Sequence, residues 1–472
     1  MPDERFADHL QFPRSRDALP AGGCEGVAGG ALCGDLITVG LRVGGDRVVA
    51  AGFTASGCGA SVAAGSAVVE LITGAGLLEA ARIGTPEVSA ALGGLSTGKL
   101  HAADLAADAM HQALGLAARA NAQLVAAPGR TLVAMSGGVD SAVAALRCGP
   151  EAVAVTLELW RDAENDGERS CCSASAVRVA RRVAHDLGLP HFTLDLRAEF
   201  RAGVVDPWLA DHAAGLTPNP CVRCNGHVRL DAMLAFADRL GAGALATGHY
   251  ARTTSDGFVR EAVDTAKDQS YMLARLDPAT TRRLRFPLGD AEKPAVRAEA
   301  AAAGIAVAQK PDSQDLCFLA GTGKERFLAR HGAQRERPGD VVDGSGRHLG
   351  RHRGAHAFTV GQRRGLGVGG TGEPLYVLAT DVVANVVTVG PREQLATTTV
   401  GLRDVVLHRP AATVDAVRLR SHGRAHAARV QPRGQGPGLD AELEEAVGGV
   451  APGQLACLLA GDVVVGFATI TR

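Results

Sequence analysis

Short apolar runs alternate with amphipathic stretches through the middle of the chain, and this alternation predicts its architecture. Thr131 to Met135 has the length of a buried strand, and Val139 to Leu146 carries apolar residues at helical spacing. The pair of signals recurs: AVAVTLEL, HFTLDL and ALATGHYA read as strands, while SASAVRVARRVAHDLGL and NGHVRLDAMLAFADRLG read as helices. Strands and helices in alternation predict an α/β doubly wound parallel sheet, with ligands bound beyond the carboxyl ends of the strands. Upstream, LITVGLRV and RVVAAGFTA flank a Gly-Gly-Asp turn as a hairpin would, and helical spacing follows over 60–72 and 102–118. That predicts a small α+β domain preceded by a mobile lead-in over residues 1–30. Beyond residue 335 the strands become short and are separated by Gly and Pro, which predicts two small β-rich domains, the last barrel-like. The chain thus divides into 1–120, a linker over 121–130 ended by Pro128-Gly129, an α/β domain over 131–335, a central β domain over 336–395 and a C-terminal β-barrel over 396–472.

Composition narrows the class. The 472 residues are 46% hydrophobic and 21% charged, ordinary for a globular protein, and no run of about 18 apolar residues suggests a membrane span. The first residues, MPDERFADHLQFPRSRD, are charged and lack the apolar stretch of a signal peptide, so a cytoplasmic location is expected. In that compartment ten cysteines favour metal or sulfur chemistry over structural disulfides. A net charge of −1 gives no global attraction to nucleic acid, but residues 347–367 hold five arginines, three histidines and no acid. That stretch suits a phosphate backbone or a solvated loop.

Three constellations carry chemistry. Between the strand and helix at 131–146, Ser136-Gly137-Gly138 forms a tight turn whose backbone N–H groups can crowd around a phosphate at a helix N-terminus. Ser136 and Ser141 add hydroxyls, and Asp140 suits a magnesium ion or the helix cap. The lysine and spacing of a P-loop are absent. In the N-terminal domain Cys33, Asp35, Cys58 and His101 are the donor types of a zinc or iron–sulfur site. In TPNPCVRCN, Cys221 and Cys224 form a C-x-x-C at the expected start of a helix near Asn225, and Cys317 follows downstream. A helix N-terminus beside Arg223 favours reactive thiolate. The three thiols fit a redox pair, the ligands of a metal cluster, or a nucleophile with a persulfide carrier. Cys148 and Cys457 read as core residues, Trp160 and Trp208 as packing, and His185, His191 and His212 as ordinary surface or helix histidines.

SGGVDS resembles the pyrophosphate loop of ATP pyrophosphatases, and residues 25–120 resemble the IscU/NifU-type iron–sulfur scaffolds. Two departures from the scaffold pattern are Ala102, where a cysteine is expected after the histidine, and LSTGKLHA in place of a proline-containing stretch. Cys24 is a further candidate ligand, and a domain that only docks a sulfur-delivery partner is the alternative.

From 130 to 472, SGGVDS, CCS at 171–173, TPNPCVRCN, ATGHYAR, AKDQSYML, KPDSQDLCF, FTVGQRRGLGV, EPLYV and APGQ resemble, in order, the tRNA-uridine 2-sulfurtransferases of the MnmA family. The resemblance implies ATP contacts from Ala134, Met135, Ser136, Gly137, Gly138, Val139, Asp140, Ser141, Leu157 and Gly248. It implies Cys224 as nucleophile, Cys317 as persulfide carrier forming a disulfide with Cys224, and tRNA contacts from Asn219, Pro220, Cys221, His249, Lys267, Asp268, Gln269, Arg420 and Gln454. The family's usual aspartate is here Cys221, so Cys221, Cys224 and Cys317 could also hold a [4Fe–4S] cluster; its tyrosine after the tRNA-contacting arginine is Ser421. The implied activity is ATP-dependent 2-thiolation of a wobble uridine, with ATP and Mg²⁺ as cofactors. The implied partners are tRNA, a cysteine desulfurase or sulfur carrier, and iron–sulfur assembly proteins. An amide-forming ATP pyrophosphatase and a non-catalytic iron–sulfur carrier are the alternatives.

Overall fold

The computed structural model describes residues 4–29, 34–161, 174–312, 316–319, 321–332, 337–368, 373–434 and 437–471. Cys33, Cys171 and Cys172 lie outside the described residues.

The first domain is an antiparallel sheet covered by helices. Helix α1 (Glu4–Gln11) precedes β1 (Cys24–Gly29), β2 (Leu36–Gly44) and β3 (Arg47–Ser56), which pair in that order. Helices α2 (Gly59–Ile72) and α3 (Leu100–Asn121) pack on the sheet; α2 is buried almost all round, so its alanines allow close approach. The expected mobile lead-in is instead part of the fold. Phe6 and His9 on α1 are buried, His9 Nδ1 lies 2.9 Å from Ser66 Oγ, and β1 adds six residue pairs to β2. A polar eight-residue helix with one apolar face gives a weak sequence signal and is stabilised by tertiary contact. The expected linker is also shorter, because α3 runs to Asn121 and the next strand begins at Ala127.

The second domain holds five parallel strands in the order β10-β7-β4-β5-β6. These are β4 (Ala127–Ala134), β5 (Val153–Glu158), β6 (His191–Asp195), β7 (Ala242–Ala246) and, after a short hairpin of β8 (Arg252–Thr253) and β9 (Val259–Arg260), β10 (Leu284–Arg285). Pro128 and Gly129 lie where the β4–β7 register shifts, an irregularity at which a missing N–H is tolerated. From β4 the chain moves to β5 and β6 on one side and then crosses to β7 on the other, so the loop after β4 stands at the switch point of the sheet. Helix α4 (Val139–Cys148) starts there, and α5 (Ala174–Asp186) leads into β6.

The last two domains are β-rich. Strands β11 (Gly339–Asp343), β12 (His348–His352), β13 (Tyr376–Asp381) and β14 (Val386–Gly390) form a sheet in the order β12-β11-β14-β13. Strands β15 (Ala396–Leu407), β16 (Ala416–Arg418), β17 (His426–Pro432), β18 (Leu439–Gly448), β19 (Leu455–Ala460) and β20 (Val463–Ile470) close into a six-stranded barrel through a β15–β20 pairing, with β8 and β9 extending its sheet. Arg418, in the barrel, is buried against the second domain. It bonds Asp268 at 2.6 Å and also pairs with Glu261, while the buried Tyr271 donates its hydroxyl to Leu455 O at 2.7 Å.

The first domain docks on β6 and α5. His191 N donates to Ala81 O at 2.9 Å, and Arg119 reaches Asp195 O at 2.9 Å. A Cβ at Gly115 would sit 1.9 Å from Thr193 O, so the approach of α3 to β6 requires glycine. Asp108 of α3 is held by Arg178 at 2.5 Å and by Arg181. His111, His185 and His191 gather here with ring centroids 5.7 to 6.5 Å apart. His185 and His212 lie on helices as expected, whereas His191 is fully buried in a strand and so is neither a surface nor a helix residue.

Candidate active site

The Ser136–Ser141 turn sits at the C-terminal end of β4. Gly137 adopts φ +71°, and the loop after β7 comes so close that a Cβ on Gly248 would lie 2.8 Å from Ser141 N. Ser141 Oγ donates to Gly138 O at 3.0 Å and lies 3.2 Å from Ser136 Oγ, which holds the turn open at the N-terminus of α4.

The turn carries no lysine of its own, but the fold brings lysines to it. Lys293, at the start of helix α6 (Lys293–Ala302), places Nζ 2.7 Å from both carboxylate oxygens of Asp140 and 2.9 Å from Asp312. Lys310 Nζ donates to Gly137 O at 3.0 Å, and the Tyr250 hydroxyl donates to Asp140 at 2.8 Å. Burial alone would raise the Asp312 pKa, but hydrogen bonds from Lys293 and Lys267 outweigh it and hold the carboxyl down at about 2. Burial, with Asp140 beside it, pushes the Tyr250 hydroxyl well up, so it stays a donor. Asp140 is therefore paired with a lysine at the mouth of the turn.

Helix starts also set the thiols. The helix begins at Pro220, five residues earlier than Asn225, because Asn219 is an effective N-cap: its Oδ1 accepts from Cys221 N at 3.0 Å, and Pro220 fills the first helical position. Asn219 was expected to touch a base, and the capping geometry gives it this positioning role. A π-helical turn over Asn225–Arg229 follows, then a helix over Leu230–Arg239. The approach to Cys221 is gripped by both β domains: Thr217 N donates to Pro452 O at 2.8 Å, Gln454 donates to Thr217 O at 2.7 Å, and Thr217 Oγ1 donates to Thr359 Oγ1 at 3.2 Å.

One cavity of about 370 Å³ unites these parts. The nucleotide-type loop contributes Ala134, Met135, Ser136, Asp140 and Ser141; Leu157, Gly248 and His249 line it further in; Cys221, Cys224 and Cys317 complete the wall. Its volume suits a nucleotide-sized ligand. Burial, reinforced by the Arg229 charge, pushes the His249 pKa down to about 3, so the ring is neutral at pH 7.

Of the other residues expected at tRNA, Pro220 and Gln269 line this cavity, while Arg420 is exposed on the barrel. Lys267 bonds Asp312 at 2.9 Å, and Asp268 is buried against Arg418 and Ser270. Sequence reasoning gave no role to Lys293, Lys310, Asp312 or Arg418, although Lys310 and Asp312 stand in the KPDSQDLCF motif and Lys293-Pro294 opens an amphipathic helix. In the 347–367 stretch, Arg347, Arg351, Arg363 and Arg364 are exposed, whereas His352 is buried beside Phe358.

A second constellation lies in the first domain. Asp35, Cys58 and His101 offer donor atoms that all lie within 4.8 Å of one another, and they are the group of this kind found among the described residues. His101 Nε2 is 3.0 Å from Asp35 Oδ2, Cys58 Sγ is 3.1 Å from the same oxygen, and Ser61 donates to it at 3.0 Å. Burial would raise the Asp35 pKa, but bonds from the Cys58 backbone and thiol, His101 and Ser61 prevail and hold it at about 2. An S, N and O donor set at this spacing fits zinc or iron. Ala102 is fully buried in α3, and Cys24 pairs with Leu41 at the end of the sheet away from Asp35.

These features define a scaffold-type α+β domain built onto an α/β nucleotide-binding enzyme domain with two β appendages. Family models agree in order: NifU-like N-terminal domain at 2–122, tRNA methyl transferase HUP domain at 129–321, tRNA methyl transferase PRC-barrel domain at 325–391 and aminomethyltransferase beta-barrel domain at 406–470. A bifunctional protein NifU/MnmA of Rubrobacter xylanophilus is 42% identical over 99% of this chain and 98% of its own length. The tRNA-specific 2-thiouridylases MnmA of Salinispora tropica and Mycolicibacterium smegmatis are 47% and 46% identical, over 72% and 73% of this chain and 98% and 99% of theirs. The chain belongs to the MnmA tRNA-specific 2-thiouridylase family, in the form that carries a NifU-like domain at its N-terminus.

Proposed function

We propose that the chain converts a tRNA uridine, the wobble uridine by family resemblance, to 2-thiouridine using ATP and a cysteine-borne sulfur. The observation that carries this reading is the single cavity walled by both the phosphate-type loop and the three thiols. Amide oxygen is a poor leaving group, so the 2-carbonyl must be activated first. Its oxygen attacks the α-phosphorus of ATP and pyrophosphate leaves, its charge met by the N–H groups at the start of α4 and by Lys293 and Lys310. A persulfide on Cys317, charged by a cysteine desulfurase or sulfur carrier, then places its terminal sulfur on C2. Cys224 attacks the Cys317 sulfur, the S–S bond to the terminal sulfur breaks, AMP departs, and a Cys224–Cys317 disulfide remains for a dithiol to reduce. A wobble base lies in a single-stranded loop, so turning it into a pocket costs little. Magnesium, when bound with ATP, would neutralise part of the charge on the departing pyrophosphate.

A cluster-bound sulfide on the three thiols is the alternative sulfur source, and anaerobic iron and sulfide analysis of wild type and Cys221→Ala separates the two routes. In the N-terminal domain Asp35, Cys58 and His101 would hold a metal ion or cluster, which when bound would supply iron–sulfur handling beside the enzyme domain.

The test is purified chain with unmodified tRNA, ATP and a persulfide donor, read by pyrophosphate release and by nucleoside mass spectrometry. tRNA-dependent pyrophosphate with 2-thiouridine is expected, and thiolation is expected to vanish in Cys224→Ser and Cys317→Ser. Thiol variants that stay fully active would support the amide-forming reading. Cluster binding with no tRNA-dependent pyrophosphate would support the carrier reading.

A further inference from the structure

A second cavity, of about 150 Å³, opens between the two fused domains and is separate from the thiol site. The end of β5 and the residues after it divide the two: Leu157 and Leu159 face the thiol cavity, whereas Glu158 and Trp160 face this one. Helix α3 supplies Asp108 and His111, and the enzyme domain supplies Thr193 and the guanidiniums of Arg161, Arg178, Arg181 and Arg197.

Among the described residues the charge is unbalanced. Asp108 is shared by Arg178 and Arg181, and Arg197 is held by Asp195 at 2.8 Å. Arg161 has no ion-pair partner among the described residues. Burial pushes the Glu158 carboxyl pKa up, which reduces the negative charge it adds.

The hydrogen bonding is incomplete in the same place. His111 Nδ1, Trp160 Nε1 and Thr193 Oγ1 are buried atoms with no hydrogen-bond partner among the described residues, and His111 and Thr193 are only 1% and 6% exposed. Each such gap carries a desolvation penalty, so three on residues that line one cavity point to something that fills them. Their chemistry specifies it. His111 Nε2 lies 2.8 Å from Ile83 O and so carries the ring proton, which leaves Nδ1 an acceptor. Trp160 Nε1 only donates, as do the guanidiniums, and Thr193 does either.

We propose that this interdomain cavity binds a small oxyanion that also carries a proton donor, with hydrogen phosphate its simplest representative. Its oxygens accept from the arginines and Trp160, and its own O–H donates to His111 Nδ1. A ligand so placed touches α3 on one side and β5 and β6 on the other, so it fastens the N-terminal domain to the enzyme domain.

Of the two tryptophans only Trp160 lines this cavity, and because both pack on Phe318 and Phe327, the fluorescence change that is lost in Trp160→Phe is the one that reports on the site. The full chain is titrated with inorganic phosphate and, at matched ionic strength, with sulfate, which has no proton to give at neutral pH. Saturable phosphate binding with a Kd at or below about 1 mM is expected, sulfate at least about tenfold weaker, and phosphate should raise the unfolding temperature as any native-state ligand does. Thr193→Val and Arg178→Gln, the first isosteric and the second at a half-exposed side chain, should each weaken phosphate about tenfold or more while the chain remains folded by circular dichroism. A response that does not saturate, that sulfate matches, or that both folded variants retain would overturn the proposal.

Discussion

The docking of the N-terminal domain should weaken in mild acid, and the buried histidines set the size of the effect. His111 and His191 are fully buried; desolvation and the nearby Arg181 charge drive both well below their ordinary value of 6.5. In the opened or unfolded state each recovers that value, so the open state binds more protons and stability falls as pH drops through 6.5, with no loss above it. Going from pH 7 to 5.5 costs roughly 1.2 kcal/mol per such histidine, about 2–3 kcal/mol for the pair. His185 is shifted the same way and adds to the loss, whereas Glu158, raised by burial, takes up its proton more readily when folded and offsets part of it.

A net loss of about 2 kcal/mol corresponds to a roughly 30-fold fall in protection of amides whose exchange requires undocking. The amide of His191, which bonds Ala81 O across the interface, is the direct reporter. Hydrogen exchange between pH 7 and 5.5, corrected for intrinsic rates, should show that fall, and in His111→Asn the pH slope should drop by up to one proton. Protection that holds constant or rises with acid would refute the assignment of these rings as neutral, buried groups.

Replacing Lys293 by methionine leaves Asp140 and Asp312 facing each other without their shared cation; we expect a stability loss of about 3 kcal/mol in denaturant melts and at least tenfold weaker ATP binding by calorimetry. Gly248→Ala should push the β7 loop off the phosphate-type turn, raising the KM for ATP about tenfold with kcat changed less, because its Cβ meets backbone atoms. Arg418→Met strands Asp268 and should cost roughly 3–5 kcal/mol, seen as early release of the barrel in limited proteolysis. Cys58→Ser should lower bound zinc or iron measured by elemental analysis, with the fold intact by circular dichroism, because it removes the thiolate of the triad.

What the sequence made legible is what it keeps contiguous. SGGVDS holds its serines, glycines and aspartate within six residues, and the strand before it and helix after it follow from local spacing, so both loop and sheet type could be read directly. The charges that complete the loop come from α6 and the segment after it, more than 150 residues away, and no periodicity links Lys293 to Asp140. The docking interface was equally hidden. Its acceptors are backbone carbonyls of Ala81 and Ile83, which have no sequence signature, and a histidine in a strand looks the same whether its ring meets water or a neighbouring domain.

Asp268 shows what local spacing leaves out. As part of Lys267-Asp268-Gln269 it was expected to touch tRNA, and a buried carboxylate also needs a cation of its own. The fold supplies one in Arg418, two positions before the exposed Arg420, on the strand that also pairs with β19. The two arginines thus divide between them the roles that spacing alone could not separate. Arg418, desolvated and held by two carboxylates, fixes the barrel to the enzyme domain, while Arg420 stays in solvent, where a phosphate can reach it. An anchor of that kind keeps Gln454 on the Thr217 carbonyl, and through Asn219 it bears on the first turn that presents Cys221 and Cys224.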